Sequence, residues 1–317
     1  MRIIVTGGNG YVGRELCRLL YKQHEVAVID TLRYGRNRFT AEDGSRVRFL
    51  KTDINDAAAV GEAIAGFQPQ AVIHLAAVHY IPECETNPSL AVMTNVVGTL
   101  NMLNACPPGC RFVYASSGAV YKPDVKPHHE DTATLEPTDI YGFSKLQGEQ
   151  YVRHFARTRN LGAVIVRLFN VVGPGETNPH LLPEIVAQLK AGRTKVHLGS
   201  LWPRRDYIHV MDAARGFSDT ALHGSVLPGE VVTVNLGTSA PYSVAEIVKK
   251  LRDISGSQFT LEEDLARIRK VDRPLLAADN RLIQKIFGWR AAHTIDDALA
   301  DLWKDPDLAD NLMAKYQ

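Results

Sequence analysis

The sequence predicts an α/β fold, a doubly wound parallel sheet with a smaller C-terminal lobe, from three observations. Short β-branched runs alternate with longer helical patterns through the first half of the chain. Those runs are apolar throughout, as strands buried on both faces require. Near residue 173 the character changes: "GPGETNPHLLPE" is rich in Gly, Pro and polar residues, and the strand patterns after it are shorter.

Taken in order, "RIIVTG" is the first strand and Tyr11 to Gln23 the first helix. The strands "EVAVID" and "RVRFLKTD" follow, then a helix over Ala57 to Ala65 and the strand "AVIHLAA". A long helix is expected from about Pro88 to Ala105, then the strand "RFVYASS", then a helix from about Ile140 to Arg157 leading into "AVIVRLFN". Six or seven parallel strands therefore precede residue 172 and define a first domain over 1–172. Residues 173–317 form mainly a second lobe, the later strands "VHLGS" and "VVTVNLG" being shorter, and a segment near 205–237 joins the first domain. Lys122 to Pro137, "KPDVKPHHEDTATLEP", reads as a turn-rich loop long enough to be a functional edge.

The chain has 317 residues, 45% hydrophobic and 22% charged, ordinary values for a globular protein with a sizeable core. Lys plus Arg (36) nearly balance Asp plus Glu (35), so no global positive field exists to hold nucleic acid or an anionic membrane. No apolar run approaches the roughly 18 to 20 residues that span a bilayer, and Met1 runs straight into a strand without a signal-peptide pattern. A cytoplasmic protein is expected. Cys17, Cys84, Cys106 and Cys110 show neither a CxxC pair nor zinc-finger spacing and read as packing residues, Cys84 being the most exposed. The eleven histidines form no HExxH-type cluster, and His128 with His129 reads as a solvated pair, so no metal is expected.

"TGGNGYVG" sits at the end of the first strand and opens the first helix, the context that gives a glycine motif meaning. Gly7 takes the tight turn, Gly10 lets the backbone approach a pyrophosphate favoured by the helix N-terminus, and Gly13 lets helix and strand pack closely. This is the Rossmann arrangement. Asp30 ends the second strand, 23 positions after Gly7, where its carboxylate can accept from both adenosine ribose hydroxyls and repel a 2′-phosphate. NAD is therefore expected rather than NADP, although Arg33 and Arg36 follow closely. Asp53 closes "KTD" and fits either the adenine amino group or a helix cap.

"YGFSK" places Tyr141 and Lys145 on one face of a helix. A tyrosine with a pKa near 10 is a poor base at neutral pH. A unit charge at about 4 Å in an effective dielectric of about 20 is worth roughly 4 kcal/mol, or about three pK units, which would bring Tyr141 near neutrality. Ser117 ends the strand "RFVYASS", where its hydroxyl can share a substrate proton with the phenol.

With these residues in place the chain resembles the extended short-chain dehydrogenase/reductase family, and within it the NAD-dependent sugar-nucleotide epimerases and dehydratases. The resemblance covers nearly the whole chain. It implies cofactor contacts from Gly7, Gly10, Tyr11, Val12, Asp30, Asp53, Ile54, Leu75, Ala76, Ala77, Asn95, Tyr141 and Lys145. It also implies a nucleotide-diphosphate sugar as substrate, held by Ser117, by Asn170 of "RLFNVVGP", by Arg205 of "RRDYIHVMD" and by Arg269 and Asp272 of "RKVDRP". A guanidinium fork suits phosphate oxygens, though Arg205 can instead pair with Asp206. By the same analogy the helices near Pro88 and Ile140 form a homodimer contact.

Departures from the family pattern bear on the outcome. His79 stands where the family's 4-epimerases have a lysine, Lys122 replaces a glycine after "VY", and the loop before Arg205 is short and carries Trp202. In the family's dehydratases an Asp and a Glu follow the position of Ser117; here those positions are Gly118 and Ala119. With no added acid or base, C4 epimerisation through a 4-keto intermediate is expected. Dehydration stays open if Glu83 or Glu130 supplies the acid, and a non-catalytic NAD sensor is a further alternative.

Overall fold

Parallel pairing organises the larger part of the chain. In a computed structural model, residues 1–33, 35–176, 178–264, 273–308, 312 and 314–315 are described. The first six strands are β1 (Arg2–Thr6), β2 (Glu25–Asp30), β3 (Val47–Lys51), β4 (Ala71–His74), β5 (Arg111–Ser117) and β6 (Gly162–Leu168). β7 (Asn170–Val172), β8 (Lys195–Leu198) and β9 (Arg204–His209) leave this sheet, and β10 (Val231–Leu236) returns to it. Among the described residues the order is β10-β6-β5-β4-β1-β2-β3. Direction of growth reverses between β1 and β4, which opens a crevice at the strands' carboxyl ends.

Burial on both faces follows from the apolar runs. Ile3, Val5, Val26 and Val28 face one core, while Ile4, Ala27 and Ile29 face the other. The first core is completed by the helix Val210–Leu222, whose Ala213, Ala214 and Phe217 pack with Leu16 and Leu20 of the helix Tyr11–Leu20. The strand "VVTVNLG", part of the segment near 205–237, lies in the main sheet: Val231–Leu236 pairs with Ala163–Leu168. Its apolar residues are buried there beside an edge that would otherwise expose backbone groups.

The second lobe has its own core. β9 pairs with β7, with β11 (Pro241–Ser243) and with β13 (Leu275–Leu276), while β12 (Thr260–Glu263) pairs with β8. The helices Leu181–Lys190, Val244–Ser255 and Ile295–Lys304 bury Ile185, Ile247, Leu251 and Leu299 against one another. Among the described residues no helix is long and apolar enough to cross a membrane.

Three local expectations are corrected. The helix expected from Pro88 to Ala105 contains a π-helical turn at Met93–Val97. Cys84 is not exposed but fully buried, its thiol donating to the Val78 carbonyl. His128 is buried too: its ring stacks on Tyr121 at 4.6 Å and its amide donates to the Ala277 carbonyl. Burial lowers its pKa to about 4, so it is neutral rather than half of a solvated pair.

Gly13 shows how tightly helix and strand meet. A Cβ there would lie 2.3 Å from the Gly7 carbonyl oxygen and 2.7 Å from the Gly8 Cα, both backbone atoms that cannot swing aside. Gly13→Ala is expected to lower stability by about 1–3 kcal/mol and to release the cofactor, read by thermal denaturation and by nucleotide content after purification.

Candidate active site

The crevice at the carboxyl ends of β1, β2, β4 and β5 continues beneath the second lobe as one cavity of about 950 Å³. At its floor Gly7 has φ +67°, and a Cβ there would meet the Ala76 amide nitrogen at 2.9 Å, so only glycine fits the turn. Gly10 caps the helix that begins at Tyr11, which aims the first amides at an anion lying on the loop. Asp30 accepts from the Asn9 and Leu32 amides, and burial raises its pKa. Arg33 is engaged by Glu83, and Arg36 is exposed.

The other expected cofactor residues converge on the same wall. Val12, Asp53, Ile54, Leu75, Ala76 and Ala77 all line the cavity. The helix Ala57–Phe67 is capped by Asp56, which leaves Asp53 outside the capping role. Asn95 lies behind the wall rather than on it. Its side chain accepts from the Val78 amide at 2.8 Å and donates to the Val78 carbonyl at 2.9 Å and to Ser144 at 2.9 Å. The π-helical turn sets Asn95 in this clamp, which fixes the strand end after Ala77.

Ser117, Tyr141 and Lys145 meet as their spacing implies. Asp139 caps the helix Ile140–Thr158 by accepting from the Gly142 amide. Tyr141 and Ser117 line the cavity together, and the Lys145 ammonium lies 5.8 Å from the Tyr141 ring centre and 5.1 Å from that of Tyr114. The expected electrostatic tuning is corrected. Burial raises the Tyr141 pKa although the neighbouring Ser117 hydroxyl lowers it, and burial lowers Lys145 to about 7. The lysine is 2% exposed, so the desolvation that weakens its own charge offsets the help that charge gives the phenol.

Behind them Glu149 receives Arg167 through two bonds of 2.9 and 2.8 Å, and Ser116 donates to it at 2.6 Å. Arg167 also donates to the Tyr121 hydroxyl, which donates to Asn235. Helix, β5, β6 and β10 are thereby joined directly behind the reacting groups.

From the second lobe, Asn170 and Arg205 line the cavity. Arg205 does not pair with Asp206, which is buried and accepts from Thr238, Ser239 and Ala278; it donates instead to the Arg204 and Arg273 carbonyls. Arg269 and Asp272 lie outside the described residues. Arg273 went unnoticed in the sequence. It donates to the Ala119 and Tyr121 carbonyls and so braces the turn after Ser117. Glu83 and Glu130 are off the cavity wall, Glu83 paired with Arg33 and Glu130 accepting from the Asn235 amide.

A segment following β7 crosses the glycine loop. Tyr11 donates to the Gly173 carbonyl, Arg14 and Arg38 donate to that of Gly175, and both arginines pair with Asp307. Beyond it Glu176 and His180 stand beside His79, from which the sequence separates them by 97 or more positions, and that distance conceals the group.

A dinucleotide loop and a Ser, Tyr and Lys delivered to one cavity define a short-chain dehydrogenase/reductase. Residues 3–237 match the NAD dependent epimerase/dehydratase family; the chain belongs to it, as an NAD-dependent enzyme of the nucleotide-sugar epimerase class. It is 31% identical to UDP-glucose 4-epimerase of Erwinia amylovora, with 96% of this chain and 97% of that one covered. Its structure is similar to that of Bifidobacterium longum UDP-glucose 4-epimerase in complex with NAD+ and UDP (TM-score 0.85, 27% identity, 97% and 99% covered). It is likewise similar to Bacillus cereus UDP-glucuronic acid 4-epimerase in complex with UDP-glucuronic acid and NAD (TM-score 0.85, 25% identity, 96% and 98% covered).

Burying Lys145 has a stability consequence with a definite sign. Between about pH 7 and its ordinary 10.5 the unfolded chain holds a proton that the folded one lacks, so this residue makes stability rise with pH across that window. Below pH 7 the charge is buried at full cost. Lys145→Met is expected to stabilise the NAD-free protein by about 1–3 kcal/mol at pH 6 while abolishing turnover. Denaturant melts at pH 6 and pH 10 check this, the gain shrinking at the higher pH.

Proposed function

We propose that the protein inverts C4 of a UDP-linked sugar through a transient 4-keto intermediate. The observation that carries this reading is the convergence of Ser117, Tyr141 and Lys145 on one cavity shared with the glycine loop and with Asn170 and Arg205. Bound NAD supplies a reversible hydride acceptor. The glycine loop, Asp30 and Lys145 hold it, and Asp30 excludes a 2′-phosphate. Tyr141 takes the C4 hydroxyl proton as the hydride leaves, and Ser117 shares that proton and holds the oxygen. Lys145 supports the phenolate in its charged form, which is available up to about pH 7 without further stabilisation. Asn170 and Arg205 grip the diphosphate while the 4-keto sugar turns its other face inward.

Gly118 and Ala119 present no acid at the positions beside Ser117, and Glu83 and Glu130 do not reach the cavity. The keto sugar therefore meets no group on this strand to expel its 6-hydroxyl. The curated UDP-glucose 4-epimerases, 31% identical over nearly the whole chain, support a UDP sugar. In deuterated water, NMR of a panel of nucleotide sugars should show C4 inversion without solvent deuterium, and Tyr141→Phe should abolish it with NAD still bound. Deuterium at C5 with loss of the 6-hydroxyl would make the enzyme a dehydratase instead; NAD binding with no hydride chemistry would make it a sensor.

The protein is further read as a cytoplasmic homodimer. Met93 (47% exposed) and Phe143 (55%), with Leu90 and Val92 nearby, leave an apolar patch on the helices at Pro88–Ala105 and Ile140–Thr158. Phe143→Glu should convert a dimer to a monomer in analytical ultracentrifugation; a wild-type monomer at micromolar concentration rejects this assembly.

A further inference from the structure

Two segments far apart in sequence bring two imidazoles and a carboxylate together on the cavity wall. His79 follows β4, and Glu176 and His180 lie between β7 and the helix Leu181–Lys190. One donor atom from each lies within 4.8 Å of the others. We propose that His79, Glu176 and His180 form a binding site for one divalent transition-metal ion of the zinc class, with a coordination position turned toward the cavity.

The donors are individually held. His79 Nε2 lies 3.1 Å from the Asn178 side-chain nitrogen, a contact that holds the ring at the cavity wall and that a metal ion would replace. Glu176 accepts from the Asn178 amide through Oε1 and lies 3.2 Å from His180 Nδ1 through Oε2. Ligands at about 2.0–2.1 Å from a tetrahedral zinc are roughly 3.3 Å apart, so this pair already has the separation of a coordination edge. The His79 and His180 rings are 5.7 Å apart and the Tyr80 ring packs on His180 at 5.4 Å, which limits how far the imidazoles can swing.

The chemistry selects the ion. Two nitrogens and one oxygen suit zinc, cobalt or nickel, whereas magnesium and calcium prefer all-oxygen shells. Three protein ligands leave a position for water or a ligand oxygen. Charge points the same way: Glu176 is a buried carboxylate in a cavity whose cofactor carries a diphosphate, and a divalent ion reverses the local sign from repulsive to attractive.

The test uses untagged, NAD-loaded protein treated with a chelator and titrated with cobalt(II) alone. One equivalent should bind per chain with a visible ligand-field absorption, and zinc should displace it. His180→Ala, at a half-exposed position where folding is little affected, and Glu176→Gln should each weaken binding by more than about tenfold while the protein keeps its thermal midpoint. Absence of stoichiometric cobalt binding, or binding that both variants leave unchanged, overturns the site. The readout needs no turnover, so it stands or falls separately from the epimerase reading.

Discussion

Arg167 and Glu149 meet in the protein interior with both side chains sealed from solvent. A pair of this kind is costly to desolvate, and removing one partner typically costs about 3–5 kcal/mol, because the other charge is left without compensation. Its position explains its retention. Glu149 stands one helical turn beyond Lys145 and two beyond Tyr141, and Arg167 pairs across β5 and β6 with Ser116, the residue before Ser117. The pair sets the angle at which the helix meets the strand, and so the reach of the phenol to the serine.

The second shell continues from there. Tyr121 and Asn235 carry the network to β10, the strand supplied from beyond the second lobe's first elements. Arg273, again from that side of the chain, braces the turn after Ser117. The helix Ile140–Thr158 is therefore held in register by residues on both sides of the lobe boundary. The two lobes are described better as one machine with two cores than as a cofactor domain and an appendage.

Local chemistry was legible in the sequence because it is written in adjacent residues. The glycine turn, the strand-end Asp30 and the Tyr141–Lys145 spacing each depend on a few consecutive positions and on period or turn geometry. What was hidden depends on distant partners. His128 reads as solvated until Tyr121 and Ala277 cover it. Cys84 reads as exposed because its neighbours are polar, yet the fold turns it under Tyr141. The Lys145 pKa fails in the same way: the helix spacing gives the distance to the phenol, whereas burial comes from the surrounding fold. His79, Glu176 and His180 could have been suspected only by asking which residues flank the ends of β4 and β7.

The crossing of Gly173–Gly175 over the glycine loop makes NAD a tenant behind a bolted door. Tyr11, Arg14 and Arg38 fasten that segment from below and Asp307 fastens the arginines from the far end of the chain. Opening this segment breaks several of these bonds together, so anything held beneath it would exchange at a rate set by that opening more than by the strength of its own contacts.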